Sequence, residues 1–129
     1  SLEKLILSHQ RTKNTLTFEQ DSLIGISQNL VYLDLENNRI NAVHELGFLP
    51  YIDYLNLKDN LIESPFVIED ALVCMKGLRT LFVDGNPLCN TEKWRDMVVM
   101  MALNLQELND KKILVHEREF LFRLHQKKS

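Results

Sequence analysis

Between residues 30 and 40 the chain reads LVYLDLENNRI, with apolar side chains at Leu30, Leu33, Leu35 and Ile40 and an asparagine at Asn38. Leu33 and Leu35 are two apart, so in a strand both fall on one face while Tyr32, Asp34 and Glu36 fall on the other. Asn38 brings a side-chain amide to the strand end, where it can bond the backbone of adjoining turns. The same order returns in IDYLNLKDNLI, with Ile52, Leu55, Leu57, Asn60 and Ile62, and in LRTLFVDGNPL, with Leu78, Leu81, Val83, Asn86 and Leu88. A weaker copy opens the chain at Leu2, Leu5 and Leu7, with Gln10 in place of the asparagine, and a degenerate one stands at Leu105 and Leu108. The copies start at 2, 30, 52, 78 and 105, in steps of 28, 22, 26 and 27 residues. One such unit cannot bury its leucines alone, so the pattern predicts copies stacked side by side.

The segments between the strands predict how each copy returns. Ile40, Val43, Leu46, Leu49 and Ile52 recur every third residue, the period of a 3₁₀ helix. Ser64 suits an N-cap and Pro65 the first helical position; Phe66, Ile68, Leu72 and Met75 offer apolar contacts before Gly77 stops the helix. Asn90 or Thr91 is expected to cap a second helix reaching about Leu103, with Trp94, Met97, Val98 and Met101 as one buried stripe. LQELND reads as a last strand-like turn. A charged helix from Val115 to about Gln126, carrying Phe120, Leu121 and Leu124 on one side, is expected to cover the open end. Residues 11–29 read as a polar loop followed by a helical turn or two bearing Phe18, Leu23, Ile24 and Ile26.

The strand with its closing asparagine is the leucine-rich-repeat pattern. It predicts an α/β solenoid with a parallel concave sheet, a convex side of 3₁₀ and α segments, and a helical C-terminal cap, divided as repeats over 1–89 and cap over 90–129. The first strand, apolar and without a polar shield, leads us to expect that 1–89 is the C-terminal part of a longer array, or that this edge pairs with another chain.

Composition narrows the function. A net charge of −3 disfavours direct nucleic-acid binding, which needs a basic surface to neutralise phosphates. The longest apolar run, 97–103, is too short to span a bilayer, so no membrane role is expected. Cys74 and Cys89 form no disulfide framework and read as small buried hydrophobes, which favours a reducing, cytoplasmic setting. The four glycines are scattered at 25, 47, 77 and 85, so no phosphate-binding loop exists; there is no C-x-x-C or H-E-x-x-H, and His9, His44, His116 and His125 lie far apart. No catalytic, metal or cofactor site is expected, and the chain does not read as an enzyme.

The candidate chemistry lies on the outward side of the strands. Stacking in register makes columns: Lys4, Tyr32, Tyr54, Thr80 and Glu107; Ile6, Asp34, Asn56, Phe82 and Asn109; Ser8, Glu36, Lys58 and Asp84. Tyr32, Tyr54 and Phe82 then lie near one another with Asp34, Glu36 and Asp84 beside them, a combination of aromatic anchors and steering charge that suits a protein partner. The expected protein-binding residues are Tyr32, Asp34, Glu36, Tyr54, Asn56, Lys58, Phe82 and Asp84. The same aromatic pairs would also stabilise a sheet with no partner.

The C-terminal segment NPLCNTEKWRDMVVMMALNLQELNDKKILVHERE resembles the cap of intracellular leucine-rich-repeat proteins found among phosphatase-1 regulators, dynein-arm proteins and their assembly factors. The family pattern is Asn-Pro, an aromatic-Arg pair, an apolar helix, a Leu-x-x-Leu-Asp strand and Glu-Arg in the last helix. Here these are Asn86-Pro87, Trp94-Arg95, 97–103, 105–109 and Glu117-Arg118, with Trp for the usual Tyr and Asn109 for the usual Asp. The resemblance implies a phosphatase-1 regulatory or targeting role at microtubules, centrosome or cilium. It equally admits a ciliary dynein-arm or microtubule scaffold, or an assembly factor, without a phosphatase role, so the implied partners are phosphatase-1 catalytic subunit, tubulin or dynein. The linear phosphatase-1 docking motif needs Val or Ile two residues before Phe or Trp. Leu16, Leu46, Ser64, Thr80, Arg118, Phe120 and Glu92 stand there instead, so a phosphatase contact would use the folded surface.

Overall fold

The computed structural model describes residues 4–6, 30–41, 43, 46, 49 and 51–128. The readings made for Gln10 and for residues 11–29 lie outside them. Among the described residues six short strands form one sheet in chain order: β1 (Lys4–Ile6), β2 (Tyr32–Asp34), β3 (Tyr54–Asn56), β4 (Thr80–Phe82), β5 (Glu107–Leu108) and β6 (Lys111–Lys112). The first five are parallel, in the register the repeats predict: Lys4, Tyr32, Tyr54, Thr80 and Glu107 align, as do Ile6, Asp34, Asn56 and Phe82. Between these columns Leu33, Leu55, Leu81 and Leu108 point inward and are buried, followed by Leu35, Leu57 and Val83. Burying each such leucine contributes about 1.5–3 kcal/mol. β6 is antiparallel to β5 and ends the sheet with two exposed lysines, a composition that resists edge pairing. The strand-like turn expected at LQELND is thus half of a hairpin.

The asparagines tie successive repeats together from inside. Asn60 is buried; its Oδ1 accepts from the N–H groups of Asn38 and Ile40, and its Nδ2 donates to the carbonyls of Leu35, Leu57 and Lys58. Asn86 repeats this, accepting from the Ile62 N–H and donating to the carbonyls of Leu57 and Val83. Asn109, expected on the concave column, joins this series instead: its Oδ1 accepts from the Val83 N–H at 2.8 Å. The turn after each strand passes through the left-handed region at Asn37, Asp59 and Gly85, equivalent positions in three repeats. At Gly85 a Cβ would also run into the Asp59 carboxylate.

The returns behave as their apolar spacing requires. Val43, Leu46 and Leu49 are buried, and the i→i+3 bonds Leu46 N–H to Val43 C=O, Leu49 to Leu46 and Ile52 to Leu49 hold the 3₁₀-like turns. Helix α1 (Pro65–Cys74) starts at Pro65, but Ser64 makes no side-chain cap bond, and the helix ends at Cys74, before Gly77. Its buried stripe is Pro65, Ile68, Ala71 and Leu72, with Met75 just beyond. Phe66, expected to pack, is one residue round from that stripe, turned about 100° away, and is 64% exposed. Cys74, expected to be buried, is exposed for the same reason, and Cys89 is half-buried. A 3₁₀ turn over Pro87–Asn90 precedes helix α2 (Trp94–Met101), whose N-cap position is Lys93 in the left-handed region, not Asn90 or Thr91. In α2 the buried pair is Val98 and Val99; Trp94, Met97 and Met101 are half-buried.

Helix α3 (Val115–Lys128) closes the end of the stack. Leu121 is buried, whereas Phe120, expected beside it, faces solvent. Arg118 does the docking. Its Nη1 donates to the carbonyls of Val99 and Ala102 and its Nη2 to Leu105, carbonyls left by the end of α2 and the turn after it. Burial lowers the pKa of this guanidinium, and the neighbouring Glu117 opposes that shift. Glu117 in turn pairs with Arg95 at 3.3 Å. The Glu-Arg of the cap is therefore a clasp between α3 and α2.

Candidate functional site

The concave sheet brings the outward columns together. Tyr32 and Tyr54 stack with ring centroids 4.1 Å apart and planes 5° from parallel. Phe82 lies 5.6 Å from Tyr54 at 49°. This offset follows from register: Phe82 aligns with Asn56, one column over from Tyr54, which aligns with Thr80. The row is closed by the chain's own cations, Lys4 Nζ 4.3 Å above Tyr32 and Lys58 Nζ 4.7 Å above Phe82. Such cation–π contacts are worth about 0.5–1 kcal/mol where exposed.

The second column explains its own residue types. Asp34 Oδ1 accepts from the Glu36 N–H at 3.0 Å, and Asn56 Oδ1 accepts from the Lys58 N–H at 3.0 Å, so each ends its strand with a side-chain turn. Asn56 Nδ2 also reaches Glu36 Oε1 at 3.5 Å. Phe82 has no such bond to make and lays its ring against Tyr54. Accessibility divides the candidates: Asn56 and Phe82 are 6% and 8% exposed, Tyr32, Asp34, Glu36, Tyr54 and Lys58 are half-buried, and Asp84 is exposed. The tyrosines and the carboxylates form the accessible part of this face, and Asn56 and Phe82 lie below them.

Burial pushes the Tyr54 hydroxyl above the ordinary tyrosine range, reinforced by its hydrogen bond with Tyr32 and by the negative charges of Asp34 and Asp110. Asp110 sits in the β5–β6 turn and was absent from the sequence columns; the Asn-Asp pair ahead of two lysines is the turn signal that could have placed it. The expected columns already set Lys4 beside Tyr32 and Lys58 one column from Phe82; the structure adds that both ammonium groups lie over the ring faces. Among the described residues no group of three or more His, Cys, Asp or Glu side chains could hold a metal ion. None of the described helices is long and apolar enough to cross a membrane. Burial also raises the Cys89 thiol pKa, against a backbone hydrogen bond at Asn86 that lowers it, which leaves the thiol less nucleophilic.

Residues 28–88 match the family model described as leucine rich repeat. The fold is a leucine-rich-repeat solenoid. Among similar solved structures is the Drosophila melanogaster SNF/U2A' complex, where a chain is 18% identical with a TM-score of 0.75, covering 93% of this chain and 79% of that one. A chain in the structure of Chaetomium Mex67:Mtr2 subunits is 19% identical with a TM-score of 0.70, covering 93% and 88%. The Mex67 leucine-rich-repeat domain from Chaetomium thermophilum is 20% identical with a TM-score of 0.63, covering 81% and 70%. At these identities the likeness concerns the fold. Leucine-rich-repeat domains generally mediate protein–protein contacts and are typically non-catalytic.

Proposed function

We propose that this solenoid is a non-catalytic protein-docking module whose concave face takes the basic surface of a protein partner. The observation that carries the reading is the Tyr32–Tyr54 stack backed by Phe82 and flanked by Asp34, Glu36 and Asp84. Stacked aromatics offer a large rigid contact at low entropic cost, and the carboxylates steer a cationic partner.

The finer reading is a regulatory or targeting subunit of protein phosphatase 1 acting in the cytoplasm at the cytoskeleton, centrosome or cilium. Its support is the cap motif together with the order of the repeats, TFEQDSLIGI, LVYLDLENNRI, NPLC and REFL, which resembles the testis leucine-rich-repeat regulatory subunit of protein phosphatase 1 (regulatory subunit 42). The dynein-arm members of the same resembled group supply the second reading, a ciliary or microtubule scaffold that captures tubulin or dynein.

The test uses purified phosphatase-1 catalytic subunit on a biosensor against the wild-type chain and the isosteric triple variant Asp34→Asn, Glu36→Gln, Asp84→Asn. These changes keep the strand-end hydrogen bonds and remove the charge. Association is expected to slow on the order of tenfold and to lose most of its salt dependence. Binding that is equal for both proteins would sink the concave-face reading; capture of tubulin or dynein with no phosphatase binding would transfer it to the scaffold.

A further inference from the structure

The convex side carries an apolar groove of about 740 Å³ between α1, α2 and α3. All four methionines of the chain, Met75, Met97, Met100 and Met101, line it. Phe66, Val73 and Leu103 form its outer rim and are 64%, 54% and 59% exposed. Leu121 and Leu124 of α3 add a third wall. Flexible, polarisable thioethers suit a surface that receives a side chain of variable shape. The apolar residues that α1 turns away from the core are therefore gathered in one place.

The walls have a direction. β3, β4 and β5 are parallel, so α1 and α2 both return from the same rim of the sheet and run side by side in the same sense. Asn104 Nδ2 donates to the Lys76 carbonyl at 2.6 Å and pins their C-terminal ends together. On α1, Phe66, Glu69 and Val73 recur at helical spacing along the groove, with Lys76 just past the helix's C-terminal end; on α2, Asp96, Met97 and Met100 do the same, with Lys93 at the N-cap. Glu69 and Asp96 thus lie toward the N-terminal end of the groove, with Lys93, while Lys76 stands at the C-terminal end. The polar rim is net acidic at one end and basic at the other.

We propose that this groove docks an amphipathic α-helix of another protein. Its apolar residues, at i, i+3 or i+4 and i+7, meet the methionines. It runs antiparallel to α1 and α2. That sense places an acidic N-terminal turn against Lys76 and a basic C-terminal turn against Glu69 and Asp96, the charge order that a helix dipole itself favours. The α1 wall, ten residues long, accommodates a helix of about 15 Å. The site is separate from the concave face and does not depend on the function proposed for it.

The test pans two displayed libraries of short helix-forming peptides on the full chain. Both carry the same apolar stripe; one has acidic N-terminal and basic C-terminal ends, the other the reverse. The first is expected to yield binders, weakened roughly tenfold or more by Val73→Lys and by Leu103→Lys. Both positions are exposed, and each variant's fold is checked by its circular dichroism melt. Glu69→Lys with Asp96→Lys is expected to erase the preference between libraries, and Tyr32→Ala to leave binding unchanged. No enrichment over a library with a polar stripe, binders indifferent to Val73→Lys and Leu103→Lys, or equal yields from the two charge orders would overturn the proposal. So would a homodimer in sedimentation that Val73→Lys dissociates, since the occupant would then be a second copy of this chain.

Discussion

Replacing Asn60 by alanine tests the internal ladder most directly. The wild-type carboxamide serves five backbone groups. Two of these keep another partner: Leu57 C=O still accepts from Asn86 Nδ2, and Lys58 C=O still accepts from the Asn37 N–H. The N–H groups of Asn38 and Ile40 and the C=O of Leu35 lose this bond, and Asn38, Ile40 and Leu35 are all at 1% exposure or less. A buried backbone group that loses such a bond costs about 1–3 kcal/mol, so the three together put the loss for Asn60→Ala at about 3–9 kcal/mol. Asn86→Ala deprives only the Ile62 N–H, because Leu57 C=O keeps Asn60 and Val83 C=O keeps the Cys89 thiol; its expected loss is about 1–3 kcal/mol. Equilibrium urea unfolding by circular dichroism measures both, and the thermal midpoint should drop by about 10 °C or more for Asn60→Ala. A loss below about 1 kcal/mol for Asn60→Ala, or a larger loss for Asn86→Ala, would refute the argument that the ladder is held by partner-deprived backbone groups.

Two further outcomes follow from the clasp and from the tyrosine row. Arg118→Ala removes charge-assisted bonds to three carbonyls and is expected to cost about 2–4 kcal/mol; Arg118→Lys should recover less than half, because an ammonium cannot reproduce the planar fork. Hydrogen exchange of α3 amides should accelerate first, and an unchanged exchange rate would mean that Arg118 does not hold the helix. The raised Tyr54 pKa favours the protonated, folded form, so its contribution is intact below the ordinary tyrosine value of 10.0 and is lost as pH rises beyond it. Tyr54→Phe should flatten the decline in stability above that pH relative to wild type, measured by urea unfolding, and an unaltered slope would count against the burial of this hydroxyl.

Much of the molecule was legible because its determinants are local and periodic. The period of two at Leu33/Leu35, Leu55/Leu57 and Leu81/Val83, closed by Asn38, Asn60 and Asn86, dictates which side chains go inward, and repetition dictates register; hence Tyr32 falls on Tyr54 and Asp34 on Asn56. The three-residue spacing from Ile40 to Ile52 likewise specifies a tight return. Only the tertiary structure decided which of two adjacent apolar residues packs. Phe66 beside Pro65 and Phe120 beside Leu121 have equal claims by composition, but a rotation of about 100° separates each pair on a helix, and the neighbouring element selects one. Asn109 became part of the ladder, not of the concave column, because the Val83 N–H lies within its reach. The Arg118 clasp and the methionine groove share this origin: each requires residues distant in sequence to meet, and no local period encodes that meeting.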